Sequence, residues 1–432
     1  MTQINRANPP KIEEIGNFSL PSPKRDKLKN GIKTYCFENP NLDLIYIMLQ
    51  VRTGSLYQPK KHVCQYAYML LRESSPRFSS EEIAEKLDFY GSNITTTVSL
   101  DKVQILISVP KRNIGDILPI ISEFLIHPKY NEKSLSLFKQ KEIKNLAYNE
   151  QKNDFCSWRL MWRDILGNTF REIGRFSSPD LINSIGLDEL DEFHKRSFCA
   201  ENTTLFYTGD IDSATESTIT SAFAEIPSGI ASPTLPKAVH EGRPDPIFQK
   251  MPDSMQSSII IARLSDSYNS PERTRFSVLN TITGGYFGSR LMQNLRERQG
   301  LTYGVFSSSS YFADQSVFAI SSEVNAKDTN KAIDACFEEM RKLQEEPVSE
   351  EELETVKNYM YGLNLRAIDT SVNSMQKFAY FCHFGLDEHE LTRYISEIKE
   401  VTPEDVQLLA KKNFNYNKFS RIIVGEYCEK EL

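Results

Sequence analysis

The sequence lacks any long run of apolar residues. No stretch approaches the roughly 18 consecutive apolar residues that span a bilayer, so we expect no transmembrane helix. The first ten residues also lack the apolar segment of a signal peptide, and we therefore expect a cytoplasmic protein. The sequence also lacks an excess of basic residues over acidic ones. The net charge of −7 leaves no positive surface of the kind that binds nucleic acid.

Paired cysteines and paired histidines are also missing. The seven cysteines are odd in number and none lies in a Cys-x-x-Cys pair, which argues against a disulfide scaffold and favours buried, reduced thiols. No two of the six histidines are three or four residues apart, the spacing that places two imidazoles on one helical face. We therefore expect no catalytic metal and no cofactor in this chain.

What the sequence does contain is an internal repeat with an offset near 216 residues. Phe198 and Phe414 each close a helix that opens with acidic residues, and Gly209 and Gly425 each belong to the strand that follows. Upstream, each half has a strand rich in β-type residues and then two helices separated by a proline. This order predicts an α+β fold of two tandem homologous domains, each a mainly antiparallel sheet with helices packed on one face.

A stretch rich in proline and glycine separates the two halves. Residues 227–246 have no apolar period, which is typical of a linker. We therefore assign residues 1–226 to an N-terminal domain and residues 247–432 to a C-terminal domain, a division that suits a chain of 432 residues. A pair of like domains commonly encloses a binding site between its members.

Residues 284–303 are the most informative segment for function. They show a glycine pair, an amphipathic helix, a glycine stop at Gly300 and the start of a strand. Arg296 near the helix end and Tyr303 at the strand start can converge, and their side chains suit a peptide carbonyl and a developing oxyanion. The alternative is that Tyr303 is a half-buried sheet residue and that Arg296 pairs with Glu297 at the surface.

The strand after the glycine stop is expected to alternate regularly. Such alternation places Leu301, Tyr303 and Val305 on one face of the strand. Thr302 and Gly304 would then share the opposite face. Arg290 and Arg298 are possible substitutes for Arg296, although we expect solvent or salt-bridge roles for them.

Several landmarks occur in a fixed order along the chain. They are the segments 28–32, 52–55, 79–84 and 284–303, followed in each half by a closing strand. With these landmarks the whole chain resembles the pitrilysin/insulinase (peptidase M16) metallopeptidase family, in the small-chain branch that includes mitochondrial processing peptidase. The resemblance implies the processing-peptidase fold, also described as LuxS-like, and a chamber that holds a peptide.

Active members of that family carry the zinc motif His-x-x-Glu-His on the helix before the segment 79–84. Aligned on Ser79, the three motif positions fall on Gln65, Tyr68 and Met69. An amide, a phenol and a thioether neither bind hydrolytic zinc well nor take a proton from water. His62 begins the same helix and is interpreted as a capping or surface residue, because no partner is in register with it.

The third family ligand, a glutamate on a later helix, is expected near residues 146–147, where no acid stands. Glu142 and Glu150 each lie about one turn away. The metal positions are therefore degenerate. By the resemblance, zinc is expected on a partner chain instead.

In the second half, the resemblance maps the substrate-contacting pair of the family onto Arg296 and Tyr303, which would act in trans on a peptide held at the partner's zinc. Gly284 and Gly285 either relieve packing between helix and sheet or allow a peptide to approach the backbone closely. Both interpretations of the glycine pair stay open at this point.

The sheet edge is the other expected contact with substrate. In this family an extended peptide adds to such an edge as a further strand. The candidates are the strand 316–322, which contributes Ser316, Val317 and Phe318 as substrate-binding residues, and its counterpart 91–98 in the first half.

The sequence thus predicts a zinc-free, substrate-binding subunit of a two-chain peptidase. Its partner would be a homologue that bears the zinc motif, and its substrates would be short unfolded peptides. One alternative is a non-catalytic peptide-binding or assembly protein of the same fold, for instance a homodimer. Another is a peptidase that acts alone through unrecognised metal ligands.

Overall fold

Two β-sheets, one in each half of the chain, form the framework of the fold. The computed structural model describes residues 16, 18–167 and 169–426, so the first ten residues and Cys428 lie outside the described part. The strands are β1 (Lys24–Lys27), β2 (Lys33–Glu38), β3 (Leu44–Val51), β4 (Asn93–Val98), β5 (Val103–Pro110), β6 (Thr203–Gly209), β7 (Ile247–Lys250), β8 (Gln256–Ser265), β9 (Thr302–Phe312), β10 (Gln315–Asn325) and β11 (Ser420–Gly425).

The two sheets share one strand order. The N-terminal sheet runs β1-β2-β6-β3-β5-β4 and the C-terminal sheet runs β7-β11-β8-β10-β9. Apart from the additional β1, the second order repeats the first, and each sheet pairs its strands antiparallel except for β2 with β6 and β7 with β11. Gly209 and Gly425 end the equivalent strands β6 and β11, as the repeat predicts. The predicted α+β class is confirmed.

Helices cover these sheets. They are α1 (Val63–Met69), α2 (Ser80–Phe89), α3 (Ile114–Ile126), α4 (Glu132–Asn149), α5 (Asn153–Leu166), α6 (Arg171–Gly174), α7 (Pro179–Asn183), α8 (Leu187–Ser197), α9 (Ser213–Phe223), α10 (Arg273–Asn280), α11 (Thr329–Glu345), α12 (Glu350–Arg366), α13 (Ser371–His383), α14 (His389–Glu400) and α15 (Pro403–Asn413). Two π-helical segments, Thr281–Gly285 and Met292–Arg298, follow α10. In the described ranges no helix combines the length and apolarity that a membrane crossing requires.

Side-chain caps fix where several helices begin. Glu82 N–H donates to the Ser79 hydroxyl at 3.2 Å, and Ser79 N–H donates to the Glu82 carboxylate at 2.8 Å, so the two residues form a capping box that opens α2. Thr402 and Asp405 form the same box at the start of α15, with Pro403 at the first helical position. The sequence cues for these two helix starts are therefore confirmed.

Each sheet is covered on its second face by a helix from the other half of the chain. Helix α13 packs on β2 and β6, where the ring centroid of Phe378 lies 5.0 Å from that of Tyr35 and 5.5 Å from that of Phe37. Helix α5 packs on β8 and β11 and buries Leu160 and Met161 there. The sequence predicted helices on one face only, because the position of α5 and α13 depends on residues far away along the chain.

Two part-buried histidine–aspartate contacts hold the exchanged helices. His383 Nε2 on α13 lies 2.8 Å from Asp101 Oδ2, in the turn between β4 and β5. The same carboxylate oxygen accepts a hydrogen bond of 2.5 Å from Ala313 N–H, in the turn between β9 and β10. His240 Nε2, in the segment before β7, lies 2.9 Å from Asp164 Oδ2 on α5. The Asp101 contacts link turns of both sheets to α13, and the His240 contact links the segment before β7 to α5.

Candidate functional site

Arg296 lies at the surface near the end of the segment Met292–Arg298. Its guanidinium carbon is 4.6 Å from the ring centroid of Phe287, and its Nε is 3.4 Å from Glu297 Oε1. The Phe287 side chain is 59% exposed, so both contacts form in water, where each contributes little free energy. The expected pairing with Glu297 is thus present, but it leaves the guanidinium accessible to a ligand.

Tyr303 projects into solvent from the start of β9. Its side chain is 90% exposed, whereas Leu301 and Val305 are 5% and 0% exposed. The expected shared face of these three residues is therefore wrong, and so is the alternative of a half-buried tyrosine. Gly300, three residues before it, adopts φ +61°, which favours glycine, and ends the helical segment.

A β-bulge explains the outward direction of Tyr303. Thr302 pairs with Val324 and Val305 pairs with Ser322, so two residues of β9 lie opposite one residue of β10. The extra residue reverses the alternation between Thr302 and Val305. Local sequence gave no signal of this bulge, because it is defined by the pairing with a second strand.

Arg296 and Tyr303 line one cavity of about 430 Å³. The cavity wall also includes Gln256, Glu297, Gly300, Leu301, Thr302, Glu323 and Asn325. Burial raises the pKa of Glu323, and the charge of Asp154 on α5 adds to that rise. Guanidinium, amide and phenol groups together can bind the carbonyl and N–H groups of an extended peptide.

The glycine pair has a packing role. Gly284 is buried where the segment Thr281–Gly285 meets β9, and a Cβ atom there would lie 2.7 Å from the Ser307 nitrogen. A Cβ atom at Gly285 would lie 3.2 Å from the Asn280 carbonyl oxygen. The structure therefore favours packing relief for both glycines, and the buried Gly284 offers no surface to a peptide.

The interpretation of Ser316, Val317 and Phe318 as edge residues is wrong. They lie on β10, between β8 and β9, and are 1%, 1% and 0% exposed. Both sides of β10 are already paired, so the strand has no free main-chain groups for a peptide. The edges of the C-terminal sheet are β7 and β9. The other candidate was correct, since β4 forms an edge of the N-terminal sheet.

The three expected metal positions on α1 do not form one site. Tyr68 is 1% exposed and its hydroxyl lies 2.8 Å from Ser197 Oγ, inside the N-terminal core. Met69 lines a small cavity beside β4. Gln65 instead lies near His62 at the start of α1, where it opposes the lowering of the His62 pKa by burial. The alignment on Ser79 thus places a core residue at the position of the catalytic glutamate.

Three residues upstream, the same spacing falls on His62, Gln65 and Tyr66, which lie together. The rings of His62 and Tyr66 stack with centroids 5.6 Å apart, and Gln65 contacts His62. Burial raises the pKa of Tyr66, and the charge of Glu142 on α4 raises it further. The spacing His-x-x-Gln-Tyr was visible in the sequence and could have identified this site. It retains one histidine, with Gln65 in place of the glutamate and Tyr66 in place of the second histidine.

Zinc does not fit these residues. His62 Nε2 is already 2.6 Å from Ser177 Oγ, and burial, followed by the charge of Lys61, lowers the pKa of His62 to about 4. The Tyr66 hydroxyl is buried with no hydrogen-bond partner among the described residues, and its raised pKa keeps it protonated. Within the described ranges, no group of three or more His, Cys, Asp and Glu side chains could hold a metal.

A serine, a histidine and an aspartate meet elsewhere, which the sequence did not indicate. Ser420 Oγ lies 2.5 Å from Asp164 Oδ2 and 3.3 Å from His240 Nε2. The carboxylate contacts the same ring nitrogen as the serine, whereas in a catalytic triad it binds the other ring nitrogen. Ser420 is also 0% exposed. The cluster therefore joins β11 to α5 and is no hydrolytic site.

Comparisons with known proteins bear on the same features. A family model described as the peptidase M16 inactive domain matches residues 184–360. The chain is similar to an uncharacterized zinc protease of Streptomyces coelicolor, at 20% identity over 92% of this chain and 88% of that protein. It is also similar to the non-peptidase homolog YmxG of Helicobacter pylori, at 19% identity over 90% of each chain.

Two solved structures share the fold over nearly the whole chain. The peptidase M16 inactive domain from Pseudomonas fluorescens has a TM-score of 0.87 at 20% identity, covering 94% of this chain and 98% of that one. A protease from Helicobacter pylori has a TM-score of 0.80 at 17% identity, covering 94% and 100%. The family model over residues 184–360 and the relatives over most of the chain make it similar to the peptidase M16 inactive domains and non-peptidase homologues, and the two solved structures show that it shares their fold.

Proposed function

We propose that this chain is the zinc-free, substrate-binding subunit of a two-chain peptidase. The observation that carries the proposal is the exposed Tyr303 beside Arg296 above a shared polar cavity. The site on α1 has too few metal donors for zinc among the described residues, so a partner of the same fold would supply the zinc. This chain would supply Arg296 and Tyr303 to the peptide held between the two subunits.

The chemistry of the two side chains suits this role. A guanidinium donates charge-assisted hydrogen bonds to a peptide carbonyl, and a phenol can donate to the oxygen on which charge develops. The edge strands β4 and β9 can each accept an extended peptide as an additional strand. Short unfolded peptides are therefore the substrates that we propose.

The test is to co-express the chain with a homologue that bears the zinc motif and to replace Arg296 by Ala or Tyr303 by Phe. Each substitution is expected to lower kcat/KM for a quenched-fluorescent peptide about a hundredfold, the loss typical of one oxyanion donor. Arg298→Ala and Tyr148→Phe are matched controls, since both side chains are exposed outside this pair. They should leave cleavage unchanged.

Other outcomes would contradict the proposal in distinct ways. Unchanged cleavage in both variants would remove Arg296 and Tyr303 from the mechanism. Peptide binding that leads to no cleavage in complex with a zinc-bearing homologue would favour a non-catalytic peptide-binding or assembly protein. Stoichiometric zinc and cleavage by the isolated chain would show a peptidase that acts alone.

A further inference from the structure

The bulge that directs Tyr303 outward is held by side-chain hydroxyl groups. The Thr302 hydroxyl donates to the Glu323 carbonyl at 2.6 Å, and Gly304 N–H donates to Thr302 Oγ1 at 3.1 Å. The Ser322 hydroxyl donates to the Gly304 carbonyl at 3.0 Å. Since the bulge removes the regular ladder bonds at this point, these three bonds replace them.

The same bonds fix the backbone at Gly304. Both main-chain groups of Gly304 are bonded to hydroxyl groups that also contact β10. A Cβ atom at this position would lie 2.9 Å from the ring of Phe306, so glycine permits the ring to cover the backbone. The bulge thus leaves the Tyr303 side chain exposed on the edge strand β9.

We propose that Thr302 and Ser322 are positioning residues that hold the bulge and thereby direct the Tyr303 phenol toward a bound peptide. This inference rests on the proposed function, because it assigns a purpose to the exposure of Tyr303. The Thr302 hydroxyl bonds to Gly304, on the other side of Tyr303, and to Glu323 on β10, whereas the Ser322 hydroxyl bonds to Gly304 from β10. Neither hydroxyl needs to touch the peptide.

A double-mutant cycle tests the proposal on the isolated chain. The probe is a fluorescein-labelled tryptic digest of casein, and its binding is measured by fluorescence anisotropy. Tyr303→Ala and Thr302→Val should each weaken binding about tenfold, the loss that one ordinary hydrogen bond carries. In the Tyr303→Ala background, Thr302→Val should cause no further loss, since it acts only through Tyr303.

Conservative variants separate positioning from a general loss of structure. Thr302→Ser keeps the hydroxyl and should bind within about twofold of the unmodified chain, whereas Ser322→Ala should weaken binding about as much as one lost hydrogen bond does. Ser308→Ala removes an exposed hydroxyl from the same strand outside the bulge and should have no effect. Equal losses for Thr302→Val with and without Tyr303 would overturn the proposal.

A second measurement does not depend on peptide binding. With 3-fluorotyrosine at position 303, the fluorine resonance should show the solvent isotope shift of an exposed ring. Thr302→Val should move this resonance and reduce the isotope shift, and Thr302→Ser should leave both unchanged. An unaltered resonance in Thr302→Val would overturn the positioning role. If instead the resonance moves, but neither the unmodified chain nor any variant binds the probe, the proposed function fails and the positioning role stands.

Discussion

At the scale of single residues, Tyr303 shows what local sequence determines and what it does not. The glycine stop, the helix before it and the strand after it were all predictable from short-range signals. The exposure of the phenol was not, because it depends on one unpaired residue in the ladder with β10. An alternation rule applied to one strand cannot detect a bulge that two strands define together.

The position of the motif on α1 depends on the register in which it is aligned. Alignment on a capping residue, Ser79, places the motif on Gln65, Tyr68 and Met69, which the structure separates. Three residues upstream, His62 and Tyr66 stack and Gln65 is close to His62, so we prefer that register. The sequence contains the spacing His-x-x-Gln-Tyr at residues 62–66, and the structure shows that these side chains lie together.

The first prediction concerns this register. Gln65→Glu combined with Tyr66→His would place a carboxylate and a second imidazole beside His62, with Glu142 on the facing helix. We expect this variant to bind zinc in about one-to-one ratio, measured by metal analysis after gel filtration, because it restores two imidazoles at the spacing that zinc sites use on a helix. The unmodified chain treated in the same way is the reference.

The control is the triple variant Gln65→His, Tyr68→Glu and Met69→His, which restores the motif in the downstream register. It places a carboxylate inside the N-terminal core, where Tyr68 now bonds to Ser197. We expect poor folding and no zinc. Zinc uptake by the triple variant alone would contradict the register assigned from the structure.

At the scale of elements, the helices and strands with strong periodic patterns were predictable, and those whose place depends on the opposite half were not. The repeated strands and the capped helices α2 and α15 agree with the sequence. The helices α5 and α13 were not predicted. The pairing of β10 on both sides was also missed, since sheet order is set by contacts between distant segments.

The junction between the segment Thr281–Gly285 and β9 gives the second prediction. Gly284→Ala should lower the free energy of unfolding by about 1–3 kcal/mol, because the added methyl group meets the backbone of Ser307 in a packed interior. Urea titration followed by circular dichroism measures the change. No loss of stability would show that this contact can relax without cost.

Gly362 in α12 provides the matched control. A Cβ atom there would have no heavy atom within 4 Å, so Gly362→Ala adds no clash. In the helix interior it should raise the free energy of unfolding by about 0.5–1 kcal/mol, because alanine has the higher helix propensity. The two substitutions are chemically identical and should change stability in opposite directions.

At the scale of the whole molecule, the two halves are joined by buried polar groups as well as by exchanged helices. Burial by itself raises the pKa of Asp101, but the hydrogen bond and charge of His383 outweigh burial and leave the pKa below its usual value. Asp164 behaves in the same way, with His240, Ser420 and Arg243 as its partners. Both carboxylates therefore stabilise the fold in their ionised form.

The third prediction follows from the lowered pKa of Asp101. A carboxyl group with a lowered pKa contributes stability above its unfolded pKa, near 3.9, and loses it as the pH falls through the folded pKa. Asp101→Asn should therefore cost about 3 kcal/mol at neutral pH, as expected when one partner of a buried pair is removed. The difference from the unmodified chain should shrink below a pH of about 4.

Urea titrations across this pH range measure the effect. Glu338→Gln is the control, because Glu338 pairs with Arg341 on an exposed face of α11 and should change stability little. A difference between Asp101→Asn and the unmodified chain that stays constant from neutral to acid pH would contradict the assignment.

The exchange of α5 and α13 has a practical consequence for anyone who dissects this protein. Cleavage of the chain between β6 and β7 would leave two fragments bound to each other, because each sheet packs against a helix of the other fragment. Expressed separately, either fragment would expose an apolar face of its sheet and tend to aggregate. We therefore expect that neither half folds by itself, although the repeat marks a border between them.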